Sequence, residues 1–137
     1  MLMQNFESAA DLDLTEPQRH ALIKTLSFME CGKIKHISLD KVAFSDDSQE
    51  AVFSGLFNLS AWIDSDYRCG TVGCIGGTAE LISGVSFDRW EYKPRLQQLF
   101  NPSTLIDDFD SVTVEQAARA LRGFLTTGTA DWSVFVP

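Results

Sequence analysis

Apolar residues recur along this chain with more than one spacing, and the places where the spacing changes divide it into elements. Leu22, Leu26 and Met29 fall at i, i+4 and i+7 on one helical face, with Ile23 beside them. Thr15-Glu16-Pro17-Gln18 precedes them as a capping box: Thr15 accepts an orphan backbone N–H, Pro17 is tolerated in the first turn, and Gln18 reaches back from the third helical position. A helix over Thr15–Cys31 is expected, with Gly32 as its stop. The device repeats at Thr113-Val114-Glu115-Gln116. There Val114, Ala117, Ala118, Leu121 and Leu125 make a regular stripe as far as Gly128, predicting a helix over Thr113–Thr127.

Elsewhere the pattern is shorter. Ile37, Leu39, Val42 and Phe44, followed by the polar run Ser45-Asp46-Asp47-Ser48-Gln49-Glu50, read as a short strand or extended arm and a turn. Phe53, Phe57, Leu59, Trp62 and Ile63, with Gly55 among them, suit an extended segment as well as a helix. Pro94 opens a short helix carrying Leu96, Leu99 and Phe100, which Asn101-Pro102 closes. The alternation of Trp132, Val134 and Val136 predicts a terminal strand or a packed arm.

The densest feature is Cys69-Gly70-Thr71-Val72-Gly73-Cys74-Ile75-Gly76-Gly77-Thr78-Ala79, which holds two of the three cysteines and four of the nine glycines. Thr71 is the expected cap of a helix over Val72–Ser83, ended by Gly84, with Val72, Ile75, Ala79 and Ile82 as its buried stripe. Gly73, Gly76, Gly77 and Ala79 leave another face nearly bare. An interior glycine costs about 0.5–1 kcal/mol relative to alanine, so neighbouring chain has to close over that face. The expected fold class is therefore mainly α. A single compact domain, 1–137, would have about four helices around this Gly-rich central helix, the Thr15–Cys31 and Thr113–Thr127 helices packed on it, and a small β element.

Composition narrows the function classes. With 137 residues, 45% of them hydrophobic, the chain can build one core. Its formal net charge of -8 opposes binding to nucleic-acid phosphates, which depends on Lys and Arg displacing counterions. The only basic cluster, Lys33, Lys35 and Lys41 with His36, is short and stands beside acidic residues. A basic protein partner, or mimicry of a nucleic-acid surface, fits the charge better, and the expected partner is another protein or a second copy in a homo-oligomer such as a dimer. No apolar run approaches the ~18 residues of a membrane span, and the N-terminus lacks a signal-peptide pattern. An odd number of cysteines then points to free thiols in a reducing cytoplasm.

Candidate chemistry centres on Cys74. In the first turn of the expected helix, its sulfur would sit at the positive end of the dipole and ionise more readily, with His20 or His36 as base and Asp64 or Asp66 as orienting group. Cys69 and Cys74 could instead form a redox pair or half of a metal site, with Cys31, His20 and His36 as distant extras. Their spacing matches no standard zinc pattern, and neither a metal nor another cofactor is expected. The Gly-rich helix start, comprising Cys69, Gly70, Thr71, Gly73, Gly76 and Gly77 with Arg68 as the nearby cation, is a further candidate for an anion. It lacks the Lys of a phosphate-binding loop. Asp64-Ser65-Asp66 begins like a calcium loop but has Arg68 where a ligand is needed. Asp107-Asp108-Phe109-Asp110 reads as a solvated turn, and Trp62, Trp90 and Trp132 as anchors of the core or its edge.

Five segments together resemble a family of small bacterial and phage-encoded proteins: Phe57-Asn58-Leu59-Ser60-Ala61-Trp62, Cys69 to Ala79, Leu99-Phe100-Asn101-Pro102, Thr113 to Arg119, and Gly128-Thr129-Ala130-Asp131-Trp132. The most specific element is Cys-Gly-Thr-x-x-Cys-Ile-x-Gly-x-Ala. The resemblance spans the C-terminal half to two thirds of the chain. It implies a whole-domain module of mobile-element background without an appended catalytic domain, and brings no activity with it. The expected function is a non-enzymatic accessory or interaction module that binds another protein through an acidic or aromatic surface. A thiol-dependent enzyme using Cys74 and a metal-stabilised binding domain using Cys69 and Cys74 are the alternatives.

Overall fold

The computed structural model describes residues 6–36, 53–58, 63–64, 71–87, 94–102 and 105–133. Both capping boxes close as their residue types dictate. Thr15 Oγ1 accepts from the Gln18 N–H at 3.2 Å while Gln18 Oε1 accepts from the Thr15 N–H at 3.0 Å, and the Thr113–Gln116 pair repeats this at 3.2 and 3.0 Å. Each box satisfies two backbone donors at a helix start. After the one-turn α1 (Ala9–Leu12), the long helices α2 (Glu16–Glu30) and α5 (Val114–Thr127) begin at these caps. Between them lie α3 (Ile75–Ser83) and α4 (Pro94–Phe100).

The described residues are mainly helical with a small β element. Four short strands, β1 (Lys35–His36), β2 (Phe53–Phe57), β3 (Ile63–Asp64) and β4 (Thr71–Gly73), form one sheet in the order β1-β2-β4-β3. The first three in that order run parallel, and β3 is antiparallel to β4. Gly55 explains an irregularity in β2. Its φ is +73°, and a Cβ there would come within 2.8 Å of the Lys33 carbonyl oxygen. The ladder shifts register between Phe53 and Leu56, a bulge that only glycine accommodates at this approach.

As expected, α3 is central, packed on α2, α4, β2 and β4, but the expected docking of α5 on it is replaced by docking on α2. Ala21, Leu22, Thr25, Leu26 and Met29 are buried along it, and it packs against both α3 and α5. The shorter α3 spends its other side on β2 and β4, so α5 docks on α2 and α4 instead. Thr25 is tolerated in this core because its hydroxyl donates to the Ala21 carbonyl at 2.8 Å. Phe87 and Phe100 meet edge to face at 5.4 Å, joining the segment after α3 to the end of α4.

Beyond α5 the chain turns back as a packed arm as far as Ser133. The expected stretch 134–137 lies outside the described residues. Trp132 is buried, and its indole N–H donates to the Gln98 carbonyl at 2.7 Å. The arm passes so close to α5 that a Cβ on Gly123 would sit 2.6 Å from Asp131 Cβ and 3.1 Å from its amide nitrogen. Asp131 is held by the Ser133 hydroxyl and amide and by the Arg119 guanidinium at 3.2 Å, which together keep its carboxyl below the ordinary carboxylate range.

Two outcomes follow. Gly123→Ala should lower stability by about 1–3 kcal/mol, the range for forcing extra volume into a packed seam, read from the urea midpoint and from weakened burial of Trp132 fluorescence. Because folding depresses the Asp131 pKa, its contribution is fully present above pH 3.8 and is lost as pH falls through the folded value. Wild type should therefore lose its advantage over Asp131→Asn on acidification below that point, as read from paired melting curves.

Candidate functional site

The Gly-rich segment does not enter its helix at Thr71. Thr71–Gly73 forms β4, paired on one side with β2 and on the other with β3, and Cys74 is the N-cap of α3. Thr71 is the better capping residue by type. Strand pairing on both sides overrides that preference and delays the helix by three residues. Cys74 Sγ accepts from the Gly77 N–H at 3.4 Å, and the Cys74 carbonyl accepts from the Thr78 N–H at 2.8 Å.

This geometry reverses the expected electrostatics of the thiol. Cys74 is 2% exposed. Burial pushes its pKa up to about 11, outweighing the opposite pull of the Gly77 and Gly76 amides. Free energy of ionisation in a dry site exceeds what a few N–H dipoles at a helix start return. The expectation of a readily ionised thiol at this helix start is thus corrected: the sulfur is a neutral cap built into the core.

The register places the other candidates. His36, Phe57, Gly73 and Ile63 are successive partners in one row across the sheet. With strands ~4.8 Å apart, the His36 backbone is two strand spacings, roughly 10 Å, from Gly73. His36 is half-buried at the end of β1. His20 is elsewhere, 70% exposed in the first turns of α2, where Nε2 stands 3.5 Å from a Glu16 carboxylate oxygen. The two histidines therefore belong to different surfaces. Asp64 lies in β3, at the edge of the sheet, paired with Val72.

Of the anion candidates, Thr71 and Gly73 belong to β4, while Gly76 and Gly77 are buried in the first turn of α3. The Gly77 N–H, the donor an anion would need, is already taken by the Cys74 sulfur. Arg68, Cys69 and Gly70 lie outside the described residues, as do Asp66, Trp62 and Trp90. Among the described residues no group of three or more His, Cys, Asp or Glu side chains is placed to hold a metal ion.

Two polar residues that sequence reasoning passed over stand beside this junction. Asn58, one position beyond the Phe57–Gly73 pair, is fully buried, and so is Thr78 on α3. A polar residue inside an apolar run, as Asn58 is between Phe57 and Leu59, was the available signal. Glu80 closes the far side: its carboxylate accepts from the Phe87 N–H at 2.7 Å and ties the chain after α3 back onto the helix. No protein family, no curated protein and no solved structure matches this chain.

In a variant carrying Cys31→Ser and Cys69→Ser, Cys74 is the sole thiol of the chain. It should react with a disulfide reagent only slowly at neutral pH and rapidly once urea unfolds the protein. Because folding raises this pKa, the neutral thiol's contribution to stability is intact below pH 9 and fades as pH climbs toward 11. Cys74→Ser should remove that alkaline loss when melting curves are compared across the interval. Cys74→Ala, which deletes the cap, should cost about 1 kcal/mol.

Proposed function

We propose that this chain is a non-enzymatic accessory module that works by binding another protein, with self-association into a dimer as one form of that activity. The observation that carries the reading is the state of Cys74. The residue best suited by sequence to nucleophilic chemistry is sealed in the core and held as a neutral thiol. The net charge of -8 supports a macromolecular partner other than nucleic acid. The candidate histidines lie apart from each other on different elements, His20 on α2 and His36 on the sheet, which counts against a Cys74–His catalytic pair.

The resemblance of the Cys69–Ala79 motif to small bacterial and phage-encoded proteins suggests a mobile-element setting for such a module. No helix among the described residues is long and apolar enough to cross a membrane.

Size-exclusion chromatography with light scattering, together with affinity capture from the host of the purified full chain, tests the reading. A stable dimer, or a partner recovered stoichiometrically, is expected. A strict monomer with no recoverable partner would overturn it. So would a Cys74-dependent turnover of ester or thioester probes that Cys74→Ser abolishes.

A further inference from the structure

The described cations divide into two sets. All four described arginines are committed to the protein's own acceptors. Arg19 donates to the Glu7 carbonyl at 2.7 Å and Arg95 to the Asp11 carbonyl. Arg119 holds Asp131 and Ser133, and Arg122 makes a two-pronged contact with Glu30 that joins α5 to the end of α2. The three described lysines do the opposite. Lys24, Lys33 and Lys35 are exposed and make no ion pair among the described residues, in a chain with 19 acidic side chains.

They are also close together. The ammonium groups of Lys24 and Lys33 stand 5.9 and 4.9 Å from the centroid of the same half-buried ring, Phe28. Ile34 is buried, while Lys33 and Lys35 on either side of it are exposed. Glu30, the carboxylate nearest in sequence on α2, is drawn away to Arg122. The result is one aromatic ring with two like charges held over it. Ammonium groups gathered on one ring repel each other, and an anion laid between them relieves that repulsion.

We propose that the face formed by Lys24, Phe28, Lys33 and Lys35 docks an acidic segment of the partner protein. The inference rests on the interaction-module reading and names the surface it uses. The shared ring confines the Lys24 and Lys33 ammonium groups to a separation of roughly 11 Å at most, a span that about three extended residues cover, so one short peptide with alternating carboxylates meets both. At physiological ionic strength fields are screened beyond about 8 Å. This local patch therefore acts on a docked segment in spite of the net charge of -8. A duplex or long RNA would bring many phosphates against the acidic remainder of the surface, which favours a short acidic peptide as the occupant.

The test uses a fluorescein-labelled dodecapeptide of alternating Glu and Gly, titrated with the full chain at physiological salt and followed by anisotropy. Saturable binding is expected, weakened at least tenfold by the double variant Lys24→Glu, Lys33→Glu and retained by Lys24→Arg, Lys33→Arg. Both pairs change exposed side chains, and melting curves confirm that each variant folds. Absence of saturable binding, binding indifferent to the charge reversal, or preference for a single-stranded RNA of equal length would each overturn the proposal. Capture of the host partner by wild type and by the Lys24→Glu, Lys33→Glu variant alike would overturn this surface while leaving the interaction-module reading in place. No capture by either, together with a strict monomer in solution, would overturn the module itself.

Discussion

The chain has to pass from strand β4 into helix α3 inside the core, and the rest of the fold is arranged around that passage. A helix start carries unpaired N–H groups that water cannot reach here. The Cys74 sulfur takes one of them, at Gly77, and the Cys74 carbonyl accepts the first intrahelical bond, from Thr78. Small residues make the junction possible. Gly76, Gly77, Thr78 and Ala79 are all buried, leaving room for α2 on one side and for β2 and β4 on the other. Such a junction excludes water from the thiol for the same reason that it packs well, which is why its structural role and a reactive role compete.

How much could be read from the residues follows from the range of the forces involved. The two capping boxes and the stripes of α2 and α5 were legible because they rest on contacts three or four residues apart. So were the opening of α4 at Pro94 and the stop of α3 at Gly84. The start of α3 was not. Thr71 outranks Cys74 as a cap in any local account, and only pairing of Thr71–Gly73 with β2 and β3 turns that stretch into a strand. Strands of two or three residues carry no period of their own. Their parallel pairing joins segments some 20 residues apart, as His36 with Phe57, and no local pattern announces it.

The candidate site was legible in part for the same reason. The density of small residues read as a packing seam, and Gly76 and Gly77 are buried in the first turn of α3. The sign of the thiol's pKa shift was not accessible, because it depends on desolvation by elements distant in sequence. Counting the dipole alone lowers the value; burying the sulfur raises it by more. A local motif thus reports where a site lies more faithfully than what chemistry it supports.

The split between arginine and lysine carries this logic to the surface. A guanidinium is weakly hydrated and presents a planar fork, so it can be drawn against carbonyls and carboxylates at element seams, as Arg19, Arg95, Arg119 and Arg122 are. An ammonium group is strongly hydrated and gives up its water reluctantly, so it stays outward unless an anion replaces that water. Here Lys24 and Lys33 rest on Phe28, whose ring faces offer negative potential without a formal charge. That contact orients the two side chains with no carboxylate partner among the described residues. Ion pairs within the chain fasten the α2–α5 seam and the C-terminal arm, whereas these cations make no ion pair among the described residues. Their ordering in advance lowers the entropy a ligand must spend to meet them, which is the physical advantage of a shared aromatic ring over a cluster of free lysines.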